Sequence, residues 1–393
     1  MKIVRNHSDL AINGAAPAFD QPLHVGRPSI GDRARFFALM DEILDRRWLS
    51  NNGPIVQRFE AAVAEYLGVA HCVTVCNGTI ALEVAIRALE LEGEVIVPSY
   101  TFIATAHALR WLGLTPIFAD IDPATHNLDP ESVRRLITPR TSGIIGVHLW
   151  GRAAPVGPLI RVAKEHGLKL FFDAAHAFGC SHGNRMIGGS GECEILSFHA
   201  TKFFNTFEGG AVVTNDGVLA DKIRRMCNFG FAGLDDVQGD GTNGKMTEPV
   251  AAMGLVNLEQ IDRVIAINRR NYHAYRAGLS GLPGLSLNDF DDSERNNYQY
   301  VVVEVGPEFG VGRDAILAAL RAENVFAWRY FWPGCHRMMP YRDLYPDAGC
   351  HLPETERIAE RVIVLPTGPA VNLEGIDVIC SIIRAVALAG ERS

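Results

Sequence analysis

Lys202 is the one lysine in a stretch that runs from Ser197 to Gly210 and reads Ser-Phe-His-Ala-Thr-Lys-Phe-Phe-Asn-Thr-Phe-Glu-Gly-Gly. Upstream, an apolar run over residues 168–172 ends in Asp173, followed by Ala174, Ala175 and His176. Taken singly, a lysine is usually a solvated charge, and an acid at a strand end often only caps a helix. The pair points to chemistry that needs both. Pyridoxal 5'-phosphate (PLP) takes an amine to hold it as a Schiff base and an acid opposite its ring nitrogen. A lysine held between an apolar segment (Ile195, Leu196, Phe198) and the Gly209-Gly210 turn is shifted toward the neutral amine that such chemistry uses.

Further residues fit the same cofactor. A short strand over 73–76, then Asn77-Gly78-Thr79, then a helical stretch over 80–91 would aim free N–H groups and a helix dipole at a phosphate. An ordinary turn with Thr79 near the cap suits the same residues. Ser197, His199 and Thr201 stand where they could reach a phosphate or a ring. Phe102, just past a strand end, could stack on a ring face or serve the core. His176 could sit beside a ring hydroxyl or satisfy its own loop.

The elements that must position these groups alternate. Strands at 94–97, 116–119, 143–147 and 168–172 are separated by helices at 103–112, 130–136 and 156–165. Near-continuous apolar strands between helices predict a mostly parallel sheet covered on both faces. Functional groups then gather at the carboxyl ends of the strands, where Asn77, Tyr100, Phe102, Asp120, His148 and Asp173 all fall. Further strands are expected at 194–198 and 211–214, and a helix at 218–227. Residues 229–245, rich in Gly, Asp and Asn, read as a long exposed loop. A single long helix over 247–279 is expected to bridge to a second domain containing an alternating strand at 298–305 and helices at 313–323 and 373–388. The expected architecture is α/β. Residues 1–257 form an N-terminal segment and a large sheet domain, and residues 258–393 form a smaller C-terminal α+β domain.

Composition narrows the class. The chain has 393 residues, 48% of them hydrophobic, and a formal charge of −8, with a pI near 5.9. That balance argues against nucleic acid as a partner, because phosphate binding needs a basic surface. No apolar run reaches the length of a membrane span, and the first residues lack the continuous apolar core of a signal peptide. Eight scattered cysteines form no C-x-x-C, which predicts free thiols in a reducing cytoplasm and no metal site.

Several segments together carry a family resemblance. They are Trp-Leu-Ser-Asn-Asn-Gly-Pro-Ile-Val-Gln-Arg-Phe-Glu over 48–60, Asn77-Gly78-Thr79, Pro98-Ser99-Tyr100-Thr101-Phe102, Ile121-Asp122-Pro123 and Val147-His148-Leu149-Trp150-Gly151. Asp173-Ala174-Ala175-His176, the lysine stretch and Gly241-Thr242-Asn243-Gly244-Lys245-Met246 complete the set. In this order the chain resembles the nucleotide-sugar aminotransferases of the DegT/DnrJ/StrS group, which have the fold-type I, aspartate aminotransferase-like architecture. The resemblance implies that Lys202 bonds the cofactor and shuttles the proton, and that Asp173 pairs with the pyridine nitrogen. Gly78, Thr79 and Ser197 would hold the phosphate, Phe102 would stack on the ring, and His176 would sit beside its hydroxyl. Asn243 would reach the phosphate of a neighbouring subunit, which implies a homodimer with shared active sites.

The Phe198-His199 and Glu208-Gly209-Gly210 pattern resembles members acting on 4-keto sugars rather than 3-keto sugars. With Tyr330-Phe331-Trp332-Pro333-Gly334-Cys335-His336, it is similar to enzymes that form dTDP-4-amino-4,6-dideoxyglucose. The reaction so implied moves the amino group of L-glutamate, through the pyridoxamine 5'-phosphate form, to the C4 keto carbon of a dTDP-linked 6-deoxy sugar. Lys245, Arg329, Tyr330 and His336 are the expected substrate contacts. Lys202 stands where the related dehydratases carry histidine. The chain departs from many members at His176, at Lys245 and at Gly334-Cys335, on the expected substrate side. Two alternatives remain at this point: the same chemistry on a 3-keto, UDP- or GDP-linked sugar, or a PLP-binding regulatory protein without turnover.

Overall fold

The computed structural model describes residues 4–390; residues 1–3 and 391–393, the outermost parts of the two expected domains, lie outside the described residues. The strands of its main sheet are β1 (His71–Val75), β2 (Glu94–Pro98), β3 (Thr115–Ala119), β4 (Thr141–Val147), β5 (Lys169–Asp173), β6 (Glu194–Ser197) and β7 (Gly210–Thr214). They lie in the order β1-β7-β6-β5-β4-β2-β3. From β6 to β3 every neighbouring pair is parallel, and β7 runs antiparallel to both β1 and β6.

Covering this sheet are α1 (Arg33–Arg46), α2 (Pro54–Leu67), α3 (Gly78–Ala88), α4 (Ala104–Trp111), α5 (Pro130–Leu136), α6 (Val156–His166), α7 (Gly217–Met226) and α8 (Glu248–Leu258). Successive side chains of a strand face opposite ways, and the core shows it. Ile145 and Phe171 join Leu82 and Ile86 of α3 and Leu109 of α4, whereas Ile144, Leu170 and Phe172 join Leu159 and Val162 of α6. Both faces of these strands are therefore buried, which is why their sequence is apolar throughout rather than alternating.

The expected single helix over 247–279 is two helices, α8 and α9 (Ile261–Gly278), with a break at Glu259 and Gln260. Each half serves its own core. Ala251, Ala252 and Val256 pack with Phe59 and Phe198, while Tyr275 packs with Ile379 and Ile383. At the break, Asn257 donates to the Asn205 carbonyl and accepts from Gly31 N–H, tying α8 to the lysine loop. The sequence does not mark this break, since neither glycine nor proline stands at residues 259–260.

Beyond α9 lies a three-stranded antiparallel sheet of β8 (Leu285–Leu287), β9 (Val301–Val305) and β10 (Val362–Leu365). It packs with α10 (Arg313–Ala322), α11 (Pro353–Arg361) and α12 (Leu373–Gly390). The strand expected from residue 298 starts at Val301, because the residues before it turn into the site. The N-terminal segment also departs from expectation. Val4, Leu10, Ala18 and Phe19 pack in the core of the C-terminal part, and Leu23–His24 pairs with Val325–Phe326. The buried Glu323 carboxylate accepts from Ala11 and Ala18 N–H at 2.6 Å each, a tie that no local pattern in residues 4–24 announces.

Candidate active site

Asp173 ends β5, and its buried carboxylate has two close donors. Ala175 N–H reaches Oδ1 and the Thr105 hydroxyl of α4 reaches Oδ2, each at 3.0 Å. Burial nonetheless pushes the carboxyl above the ordinary aspartate range, while Ala175, Thr105 and the positive Lys202 pull it down. A cationic ring nitrogen set against this carboxylate would supply the charge that its two neutral donors lack.

The loop between β6 and β7 holds Lys202 by an aromatic anchor. Phe198 and Phe204 are buried against Phe59 and Phe178, with ring centroids 4.5–6.3 Å apart. Phe198 N–H donates to the Gly209 carbonyl, and Lys202 N–H donates to the His199 carbonyl. The lysine tip therefore emerges from a fixed loop. Burial lowers its pKa to about 8, opposed by the nearby Asp173, so a large neutral fraction is present near pH 8.

At the α3 N-terminus the Asn77 side chain caps the helix by accepting from Ile80 N–H at 2.9 Å. Gly78 and Thr79 are the first residues inside the helix, where N–H groups have no intrahelical acceptor. A Cβ on Gly78 would come within 3.0 Å of the Ser197 Cβ and 3.2 Å of its Oγ, so the bare backbone and the serine hydroxyl share one small space. Phe102, past the end of β2, is 57% exposed, a large apolar surface at the open edge of the site. An amine, a buried acid, a helix N-terminus with a hydroxyl and an exposed ring fit PLP's aldehyde, ring nitrogen, phosphate and face respectively. His199 and Thr201 bond each other at 2.8 Å on the loop surface, which leaves them shaping the loop.

Opposite the sheet edge stands an aromatic wall. His176 is buried between Tyr300 (ring centroids 4.5 Å apart), Trp150 (5.8 Å) and Phe331 (5.9 Å). Burial and the adjacent Lys202 charge hold its imidazole well below the usual histidine range, hence neutral. Lys202 Nζ donates to the Tyr300 hydroxyl at 3.2 Å. Tyr330 joins this wall through Tyr300, at 6.1 Å, and its carbonyl accepts from the Tyr100 hydroxyl at 2.6 Å. Sequence reasoning assigns no role to Tyr300 or Thr105, and it reads Trp150 only as part of the segment over 147–151. Thr105 carries a signal in hindsight: it follows Thr101 by one helical turn, just after a strand end. Tyr300 carries none.

The remaining expected residues lie apart from Lys202. Asn243 and Lys245 run beyond the edge strand β1, where Gly244 O accepts from Cys76 N–H at 2.7 Å. Lys245 Nζ donates to Asn243 Oδ1 at 2.7 Å and sits 4.6 Å from the Phe229 ring centre. It lines a cavity of about 330 Å³ whose Glu60 and Arg224 are already paired at 2.8 Å, away from Lys202. Arg329 lies 4.1 Å over the Trp332 ring and 3.4 Å from Asp314. His336 departs most from its expected place at the substrate. It is 2% exposed, with Nδ1 on the Ser99 hydroxyl at 2.7 Å and Nε2 on Glu356 at 3.2 Å. Both ring nitrogens are engaged inside the fold, which makes it a brace between the end of β2 and α11. Among the described residues no group of side chains could hold a metal, and no helix is long and apolar enough to cross a membrane.

Known proteins are similar to this chain in sequence and fold. A crystal structure of DesI in the presence of its TDP-sugar product superposes with a TM-score of 0.93, at 51% identity over 98% of each chain. The dTDP-4-amino-4,6-dideoxy-D-glucose transaminase of Shigella dysenteriae is 36% identical over 369 residues, 93% of this chain and all of that protein. A GDP-perosamine synthase of Caulobacter vibrioides is 35% identical over 83% of this chain and 88% of its own length. The profile of the DegT/DnrJ/EryC1/StrS aminotransferases matches residues 31–384, and the chain belongs to that family.

Proposed function

We propose that this chain uses PLP to transfer the amino group of L-glutamate to the C4 keto carbon of dTDP-4-keto-6-deoxy-D-glucose, giving dTDP-4-amino-4,6-dideoxy-D-glucose. The observation that carries the chemistry is a buried Asp173 carboxylate, held by Thr105 and Ala175, at the site where the Lys202 amine rests on the Tyr300 hydroxyl beside the His176 ring. The sugar rests on the relatives: the 51% identical DesI structure with its TDP-sugar product and the Shigella transaminase.

When bound, PLP supplies an electron sink for the carbon whose proton moves. In this reading Asp173 holds a proton at the ring nitrogen and keeps that sink strong. Gly78 and Thr79 N–H groups with the Ser197 hydroxyl hold the phosphate. Phe102 covers one ring face and His176, kept neutral, lines the site beside it. Lys202 Nζ takes the proton from the glutamate α-carbon in one half of the cycle and returns one to the sugar C4 in the other. Asn243 and Lys245, remote from Lys202 in their own chain, serve the site of a second copy in a homodimer. We take α9 as the start of a smaller domain that also includes residues 4–24, and we place the enzyme in the cytoplasm, in keeping with its eight free cysteines.

The test is product identification after incubation with PLP, L-glutamate and dTDP-4-keto-6-deoxyglucose. A 4-amino sugar formed in step with 2-oxoglutarate is expected. Conversion of the cofactor by glutamate without that product would discard the sugar. The perosamine synthase relatives make the GDP-linked 4-keto sugar the comparison to run beside it.

A further inference from the structure

Two consecutive residues of the segment leading into β9 hold the tip of Lys202 and the backbone of the residue after it. Gln299 Oε1 accepts from Phe203 N–H at 2.9 Å, fixing the loop backbone beside the lysine. The Tyr300 hydroxyl accepts from Lys202 Nζ at 3.2 Å. The gripping segment is itself anchored. Asn297 Nδ2 donates to the carbonyls of His176 at 2.9 Å and Phe178 at 3.1 Å, and its Oδ1 accepts from Gln299 N–H at 2.9 Å. Asn297, Gln299 and Tyr300 are all buried. Between them Tyr298 takes a left-handed backbone, φ 49°, which is uncommon for a bulky side chain and persists where surrounding structure enforces it. The Tyr300 ring cannot wander either, with His176, Trp150 and Tyr330 ring centres at 4.5, 5.4 and 6.1 Å.

A lysine has a flexible four-carbon stem and a strongly hydrated tip. Left free in a pocket, its amine would be spread over many rotamers, at an entropic cost each time it had to return to one position. We propose that Tyr300 is the seat of the free Lys202 amine: its hydroxyl holds Nζ, and Gln299 sets the loop beneath, whenever the lysine is not bonded to the cofactor. This rests on the reading of Lys202 as the cofactor-bonding and proton-moving residue, and adds the group that positions it. Tyr300 makes and breaks no bond; it accepts a hydrogen bond and orients the amine. The ionisable groups facing Nζ are Asp173 at the end of β5, His176 in the loop after it and Tyr300 itself, with Tyr330 behind.

The test compares the wild type, Tyr300→Phe and Tyr300→His. In cofactor-free protein, Lys202 is labelled with acetic anhydride across a pH series and quantified by mass spectrometry of its peptide. Tyr300→Phe keeps the ring and removes the acceptor of the ammonium proton, so the labelling midpoint is expected to fall by about one pH unit. Tyr300→His restores an acceptor and is expected to return the midpoint toward that of the wild type. In the PLP-loaded enzyme, Tyr300→Phe is expected to slow exchange of the glutamate α-proton with D2O about tenfold while the KM for glutamate holds. A midpoint that stays put or rises in Tyr300→Phe overturns the proposal. Failure of the wild type to bond PLP at Lys202 would instead overturn the function proposed above, and the cofactor-free labelling would still decide the role of Tyr300.

Discussion

The two walls of the Lys202 site are built by different means. On one side stand the ends of four strands of the main sheet: Gly78 after β1, Phe102 after β2, Asp173 at the end of β5 and Ser197 at the end of β6. Each is placed by local chain punctuation on a sheet buried on both faces. On the other side stand Tyr300, Tyr330 and Phe331, brought in from the C-terminal part and held by long-range ties such as Tyr100 OH to Tyr330 O and Asn297 to His176 O. The first wall carries groups of fixed chemistry on rigid elements. The second is an aromatic layer whose shape depends on packing between distant segments. Changes to the sheet wall should therefore act on the holding and chemistry of the cofactor, while changes to the aromatic wall should act on positioning and substrate.

The strongest break of that contrast is Lys202→Ala. Loss of the amine removes both the bond to PLP and the proton carrier, so the glutamate half-reaction in single turnover should slow at least about 10³-fold. Asp173→Asn should follow at about 10²-fold, measured as kcat with PLP saturating, because the ring nitrogen loses its anionic partner while the amide oxygen can still accept from Ala175 N–H and the Thr105 hydroxyl can turn to accept from the amide NH2. If Asp173→Asn retained wild-type kcat, the sheet wall would hold no electron-sink partner and the contrast would collapse.

How far the sequence carried follows the same division. Asp173, Lys202 and the Gly78 turn were legible because strand, turn and helix starts leave local marks: an apolar run ending in an acid, Asn before Gly-Thr, a paired glycine. The strands and helices of the sheet region fall within a few residues of expectation for the same reason. Tyr300 was not legible, since a tyrosine heading an apolar strand reads as packing, and the turn that swings it toward Nζ comes from Asn297 bonding His176 and Phe178 far upstream. His336 misled in the other direction. Its motif resembles a substrate loop, but Ser99 and Glu356 close around the ring only in three dimensions. The split between α8 and α9 was hidden because neither glycine nor proline marks it, and the docking of residues 4–24 on the C-terminal core because it depends on a distant partner.

Gly78→Ala sharpens the phosphate end of the sheet wall. The added methyl would meet Ser197 at 3.0 Å, crowding the space where backbone and hydroxyl converge. We expect PLP to bind about tenfold more weakly by equilibrium titration, with kcat near wild type once PLP saturates. His336→Ala gives the opposite signature on the far side. The lost ring leaves a buried gap and takes one bond each from Ser99 and Glu356, which keep the backbone N–H of residue 336 and Arg337, and should cost about 1–3 kcal/mol of stability in denaturant unfolding. The KM for the nucleotide sugar should change less than about threefold. A large rise in that KM at unchanged stability would return His336 to the substrate.

The smallest expected effect isolates Lys202 from its chemistry. In cofactor-free protein the lysine titrates at about 8 in the fold against 10.5 for its ordinary value. Between those two values the unfolded chain binds more protons at this site than the folded one, so the lysine's own contribution to stability rises with pH through that window, against the opposite slope of the buried cysteines, whose thiols burial pushes above 9. His176, held below 6.5 by burial, has the same sign lower down: stability is lost as pH falls beneath 6.5, where unfolded histidine takes up a proton that the folded ring refuses. Asp173, raised by burial above 3.8, has the opposite sign, and its contribution is lost as pH climbs from 3.8 through its folded pKa. The Tm of the wild type should therefore gain on that of Lys202→Met between pH 8 and 10.5, while the acid limb, to which His176 and His126 contribute, stays in place. Asp173→Asn should enlarge the rise, because Lys202 loses the anion that holds its pKa up. Calorimetric scans of the three proteins across pH would separate the two walls without any substrate. If the Tm difference between the wild type and Lys202→Met stayed flat through the upper window, Lys202 would be solvated rather than seated between Asp173 and Tyr300.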